Sequence, residues 1–148
     1  MYNLLMELRL LHNLDKSKKY SIVGSPKCGT SSLAEYMRRL GYDVTEDELY
    51  FMDKENYPHK DRIPIIILRD PIERAWSDFN FFKDFHDTIQ KACVWSKYDE
   101  GIKLWNNPII FHLEELQKLE DFPHYNENIH KKPLTENIRK EIIMELAQ

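Results

Sequence analysis

Apolar and polar positions along the chain switch between two periods. Residues 20–24 (YSIVG) form a short apolar run closed by glycine, the pattern of a buried strand. Residues 63–68 (IPIIIL) form the longest such run. Its lack of a polar side suits a parallel strand covered on both faces, and Pro64 weakens only its first residues. Residues 42–45 and 108–112 are shorter strand candidates. Elsewhere the spacing is helical. Leu33, Tyr36, Met37 and Leu40 share one face of a helix predicted over 30–40, with Gly41 as its stop. Leu4, Leu5, Leu8 and Leu11 predict an amphipathic first helix, and residues 136–146 a terminal one. A further helix starts at residue 71. Asp70 reads as its N-cap, Pro71 takes the first helical position, and Glu73 follows three residues after the cap, with the helix running to Phe82.

Strand, loop and helix in alternation predict one α/β domain over residues 1–148. Its mainly parallel central sheet is flanked by helices in three layers. Ligands of such sheets bind beyond the carboxyl ends of strands. The net charge of −4 argues against general nucleic-acid binding, yet leaves room for a polyanionic small ligand in a locally positive pocket. No apolar run approaches the ~20 residues that span a bilayer. The leucine-rich start carries Glu7, Arg9 and His12 and has no basic leader or small-residue cleavage site, so no signal peptide is expected. Cys28 and Cys93 make no metal or redox motif, which fits reduced thiols and a cytoplasmic location.

Two segments at predicted strand ends carry chemistry. The first, Ser25-Pro26-Lys27-Cys28-Gly29-Thr30-Ser31-Ser32, joins a strand to a helix. A helix N-terminus offers unpaired N–H groups and the positive end of a dipole, hence an anion site. Gly29 permits close backbone approach, Thr30, Ser31 and Ser32 add hydroxyls, and Lys27 adds a full charge. Gly24 and Gly29 have the spacing of the nucleotide-triphosphatase loop G-x-x-x-x-G-K-[ST], but Thr30 stands where that loop has lysine. The second segment runs Arg69-Asp70-Pro71-Ile72-Glu73-Arg74-Ala75-Trp76-Ser77-Asp78-Phe79. Arg69 sits at a strand end, and Arg74 and Ser77 share a helix face. An arginine fork beside a serine hydroxyl suits a phosphate monoester.

Pro26-Lys27-Cys28-Gly29-Thr30-Ser31 resembles the Pro-Lys-x-Gly-Thr-[ST] loop of the sulfotransferases. The second segment resembles their R-[DN]-P-x-x-R-x-x-S-x-[FY] motif, and both fall in the family's order. The resemblance implies a P-loop-like α/β fold and transfer of a sulfuryl group from 3′-phosphoadenosine-5′-phosphosulfate (PAPS) to a hydroxyl or amine acceptor, releasing PAP. It implies that Lys27, Cys28, Gly29, Thr30, Ser31 and Ser32 hold the 5′-phosphosulfate, that Arg69 and Ser77 hold the 3′-phosphate, and that Lys27 is catalytic. No metal is implied, since lysine and N–H groups neutralise the charge.

Residues 45–52 (TEDELYFM) resemble the Glu-x-x-Phe-Phe segment of the glycan-type members, which implies Glu48 as catalytic base, with Phe51 and Met52 at the aromatic positions. His59 and Asp47 are the alternatives. Residues 111–116 (FHLEEL) resemble the family's later strand followed by Glu-Asp-Leu. The stretch HKKPL, with Lys131 and Lys132, loosely resembles its late cofactor loop. Residues 46–62 and 83–107, the latter with Phe85, His86, Trp95, Tyr98 and Trp105, are left as acceptor-binding segments. The acceptor class stays open among glycan, lipid, small phenol and peptide. The alternatives are a P-loop kinase or triphosphatase and a non-catalytic PAPS/PAP-binding module.

Overall fold

Side chains with no polar face form the middle of a four-stranded sheet. The computed structural model describes residues 4–81, 88–123 and 132–148. Strands β1 (Lys19–Gly24), β2 (Asp43–Glu46), β3 (Ile63–Leu68) and β4 (Ile109–His112) lie in the order β2-β1-β3-β4, and all pairings are parallel. Seven helices accompany them among the described residues: α1 (Leu4–His12), α2 (Thr30–Arg39), α3 (Pro71–Phe81), α4 (Ile89–Cys93), α5 (Tyr98–Ile102), α6 (Leu113–Leu116) and α7 (Glu136–Leu146). The chain is therefore an α/β protein with an all-parallel central sheet flanked by helices. None of the described helices is long and apolar enough to cross a membrane.

Alternate strand residues feed two cores. Tyr20 and Ile22 of β1, Val44 of β2, Ile65 and Ile67 of β3 and Phe111 of β4 pack with Leu11 of α1, Leu33 and Met37 of α2 and Leu116 of α6. Val23 of β1 and Ile66 of β3 face the other way, onto Phe51, Tyr57 and Trp105. This two-sided burial is why the strands read as continuous apolar runs. A smaller cluster joins α3, α4 and α7 through Ala75, Trp76, Cys93 and Ile142. Asp70 caps α3 as expected: its Oδ1 accepts from the N–H groups of Ile72 (2.9 Å) and Glu73 (3.4 Å).

The short helices α4, α5 and α6 were not expected. At four or five residues each, they are too brief to print a 3.6-residue period. Within the segment expected to bind the acceptor, some side chains pack inward. Trp105 is buried, with its indole N–H on the Phe51 carbonyl (3.0 Å) and its ring edge-on to Tyr57 at 5.0 Å. Ser96 is buried and Tyr98 packs against both main cores. Trp105, with Trp95 and Tyr98 beside it, covers the second face of the sheet. Phe85 and His86 lie outside the described residues.

Strand order fixes where a ligand fits. From β1 the chain passes to β2 on one side, then crosses to β3 on the other. The crevice beyond the carboxyl ends of β1 and β3 is therefore the topological switch point, where open α/β sheets bind ligands. Its back wall contains a tight contact. The fully buried Phe51 ring lies between Gly24 at the end of β1 and Gly101 of α5; a Cβ at Gly24 would sit 2.3 Å from Phe51 Cδ1, and one at Gly101 2.4 Å from Phe51 Cζ. Gly101→Ala is expected to destabilise by roughly 1–3 kcal/mol through overpacking, and Phe51→Ala by roughly 3–5 kcal/mol through the cavity it leaves. Urea denaturation of both variants checks this; a neutral Gly101→Ala would mean that α5 moves freely against β1.

Candidate functional site

Both chemistry-bearing segments open at the switch crevice. The first leaves β1 and bends through two left-handed residues, Lys27 (φ 62°) and Gly29 (φ 83°), before α2 begins at Thr30. Glycine is required at 29 twice over: L side chains disfavour that φ, and a Cβ there would lie 2.6 Å from Leu113 Cδ1. The first N–H groups of α2 have no partner within the helix. Ser25 ties the loop at its base, its N–H on the Ile67 carbonyl (3.1 Å) and its hydroxyl on the Trp95 carbonyl (3.1 Å).

The second segment holds the first by side chains. Arg69 Nη1 donates to the Lys27 carbonyl (2.8 Å), and Tyr98 Oη donates to the Arg69 carbonyl (2.8 Å). Arg74 goes further. It is fully buried, and its guanidinium donates to the Pro26 carbonyl (3.0 Å), the Ala92 carbonyl (2.5 Å), Ser96 Oγ (2.6 Å) and Asp78 Oδ2 (2.7 Å). Arg74 was expected on Ser77's face as a phosphate fork. Instead these internal acceptors engage its guanidinium, and it serves as the clasp between α3, α4 and the loop after β1.

Cys28 also turns inward. Its thiol is buried 3.6 Å from Tyr98 Oη and its N–H donates to the Ser25 carbonyl (3.2 Å). Burial pushes that thiol above its ordinary range. Ser32 is buried, whereas Ser31 is exposed and Lys27 half-buried.

Glu48 reaches the same loop from β2. Its Oε2 accepts a hydrogen bond from Thr30 Oγ1 at the start of α2. Burial raises its carboxyl above the usual range. The Thr30 hydrogen bond opposes that, Glu46 adds to it, Lys27 opposes it, and Asp78 of α3 adds to it.

Asp47, one residue earlier, faces back along the sheet. Its Oδ2 accepts from Ser21 Oγ (2.5 Å) and Thr45 Oγ1 (2.6 Å) and lies 3.0 Å from His59 Nδ1. Burial works to raise the Asp47 carboxyl, but the hydrogen bonds from Ser21, Thr45 and His59 outweigh it and hold the group below its ordinary value. With its N–H on the Ile22 carbonyl (2.8 Å), Asp47 pins the turn that delivers Glu48. His59 is part of that anchor, at the level of Ser21.

Ser77 Oγ, on α3, is buried and has no hydrogen-bond partner. An orphaned hydroxyl inside a protein calls for explanation, since leaving it unmade costs about 1–3 kcal/mol. The structure thus brings Lys27, Gly29, Thr30, Glu48 and Arg69 together around one crevice, with Ser77 on the helix that follows Arg69. Lys131 lies outside the described residues. Lys132 runs beside α3, its carbonyl on Trp76 Nε1 (2.7 Å) and its N–H on Asn80 Oδ1 (3.2 Å).

Sequence reasoning missed Ser96, whose Oγ accepts from Arg74 Nε, and Glu114, which accepts the Asp70 N–H at 2.8 Å, and it gave Tyr98 an acceptor-binding role and not its hydrogen bond to the Arg69 carbonyl. These contacts join residues far apart in the chain, which leaves no mark in residue spacing. Comparison with family models, with curated proteins and with solved structures gives no match.

The clasp generates a stability prediction. Arg74→Met strands Asp78 without its buried partner and is expected to cost about 3–5 kcal/mol, whereas Arg74→Met combined with Asp78→Asn recovers part of that loss. Chemical denaturation of the two variants gives the comparison; equal losses would show that the Asp78 charge is not what the arginine neutralises.

Proposed function

We propose that this protein is a PAPS-dependent sulfotransferase with a P-loop-like nucleotide site. One observation carries the reading: the two segments that resemble the family's cofactor motifs flank one crevice and are tied by the Arg69–Lys27 hydrogen bond, with Ser77 Oγ buried and partnerless on the second. Thr30, in place of a lysine after Gly29, disfavours the kinase or triphosphatase alternative.

In this reading the 5′-phosphosulfate lies against Gly29, Thr30 and the start of α2, and the 3′-phosphate between Arg69 and Ser77. The acceptor's oxygen or nitrogen attacks sulfur in line. Its bond to sulfur forms as the bond from sulfur to the 5′-phosphate oxygen breaks, and PAP leaves with that electron pair. Lys27 stabilises the charge growing on that oxygen, an interaction stronger in the transition state than in the ground state. Glu48 takes the acceptor's proton. Burial raises its carboxyl above the ordinary range, which strengthens it as a proton acceptor.

PAP is expected to raise the melting temperature, by the equivalent of about 2.7 kcal/mol at a hundredfold excess over its Kd, and ATP with magnesium far less. Equal stabilisation by ATP would sink the assignment. Ser77→Ala separates ligand binding from folding. It removes a hydroxyl that bonds nothing, so stability should hold within about 0.5 kcal/mol or rise, while PAP affinity drops by roughly 0.5–1.5 kcal/mol. Arg69→Ala should lose more affinity for PAP than for adenosine-5′-phosphosulfate, by roughly 1.5–3 kcal/mol for a charge-assisted contact. Calorimetric titration of both ligands tests each variant. A Ser77→Ala protein that loses stability but keeps its PAP affinity would make Ser77 a packing residue.

A further inference from the structure

The side chain that opens α2 is partnered by a carboxylate of the chain itself: Thr30, the first residue of that helix, donates its hydroxyl hydrogen to Glu48 Oε2. A carboxylate has the charge and the acceptor oxygens of a phosphate or sulfonate edge, and helix N-termini attract such groups. The charges that act on Glu48 are Lys27 from the loop after β1, Glu46 from the end of β2 and Asp78 from α3. On α3, next to Asp78 in the chain, Ser77 Oγ is buried without a partner.

We propose that the Glu48 carboxylate occupies the oxyanion's place at Thr30 in the ligand-free chain, and that an incoming oxyanion displaces it with uptake of a proton from solvent onto Glu48. Two considerations support this. A dianion and a carboxylate cannot share Thr30 and Lys27 without repulsion, because like charges a few ångströms apart disfavour their ionised forms. Glu46 and Asp78 already press Glu48 the same way, as burial does, so the incoming charge completes a shift that the site has begun.

The sign follows directly. With Glu48 protonated the cradle is open, so oxyanion affinity is highest below the carboxyl's ligand-free pKa. It falls as pH rises through that value and levels off above the ligand-bound one, because binding takes up protons between the two. Affinity and turnover then pull in opposite pH directions, since Glu48 must be ionised to accept the acceptor's proton.

The inference rests on the anion-cradle part of the proposed function and not on PAPS itself, so inorganic sulfate, which stays a dianion throughout, is the probe. Sulfate binding to the full chain is followed by thermal shift and calorimetry from about pH 5 to 9. For the wild type, affinity should fall by up to about tenfold per pH unit over the linked range, with proton uptake visible in buffers of different ionisation heat. Glu48→Gln should abolish both the slope and the uptake and bind sulfate more tightly than wild type at the alkaline end. Identical pH profiles for the two proteins, or wild-type binding without proton uptake, would overturn the proposal. The wild-type uptake measurement decides it alone if Glu48→Gln does not fold. Failure of PAP to bind, with sulfate behaving as described, would remove the PAPS reading and leave this one standing.

Discussion

A guanidinium with no access to water must find every partner inside the protein, and Arg74 does so by drawing three parts of the chain together. Its acceptors come from the loop after β1 (Pro26), from α4 and the turn after it (Ala92, Ser96) and from its own helix (Asp78). A buried ion pair contributes little net stability compared with well-packed apolar groups, because desolvation offsets the attraction. What it imposes is geometry: each donor direction of a planar fork must meet an acceptor, so the loop has one position relative to α3.

The rest of the crevice is fitted around that fixed loop. Leu113 fills the space beneath Gly29, Arg69 holds the Lys27 carbonyl, and Tyr98 holds Arg69 in turn. Backbone carbonyls at 26 and 27 are thus both engaged by arginines of the second segment, while the N–H groups of Ser25 and Cys28 are bonded to the carbonyls of Ile67 and Ser25. Glu48 fits the same scheme, because the Asp47 anchor on Ser21, Thr45 and His59 turns it toward Thr30.

Much of this was legible in the amino-acid order. The four strands, the long helices and the Asp70 cap follow from apolar runs, helical spacing and local capping chemistry, all of which act within a few residues. Glycine at 29 and lysine at 27 marked the loop for the same reason. What was not legible depends on distant partners. Nothing in the spacing of Arg74 and Ser77 says that one is consumed by carbonyls 18 and 48 residues away while the other is left without a partner. Trp105 and Tyr98 looked like ligand-facing aromatics because exposure cannot be read from residue type. Only the sheet's second face, bare without them, explains their burial. Helices of four or five residues escaped because their formation is a consequence of packing and not of propensity.

The ring of Phe51 also acts as a spacer. Two chain segments meet it through glycine, Gly24 at the root of the side chain (Cβ, Cγ, Cδ1) and Gly101 at its tip (Cζ and both Cε), so its length spaces β1 from α5. Helix α5 begins at Tyr98, the residue that fixes Arg69. The length of a buried side chain is therefore transmitted, through one helix and one phenol, to Arg69. Such a site can be retuned from the rear: a different side chain at 51 would change the distance between its two walls while every group that faces a ligand kept its identity.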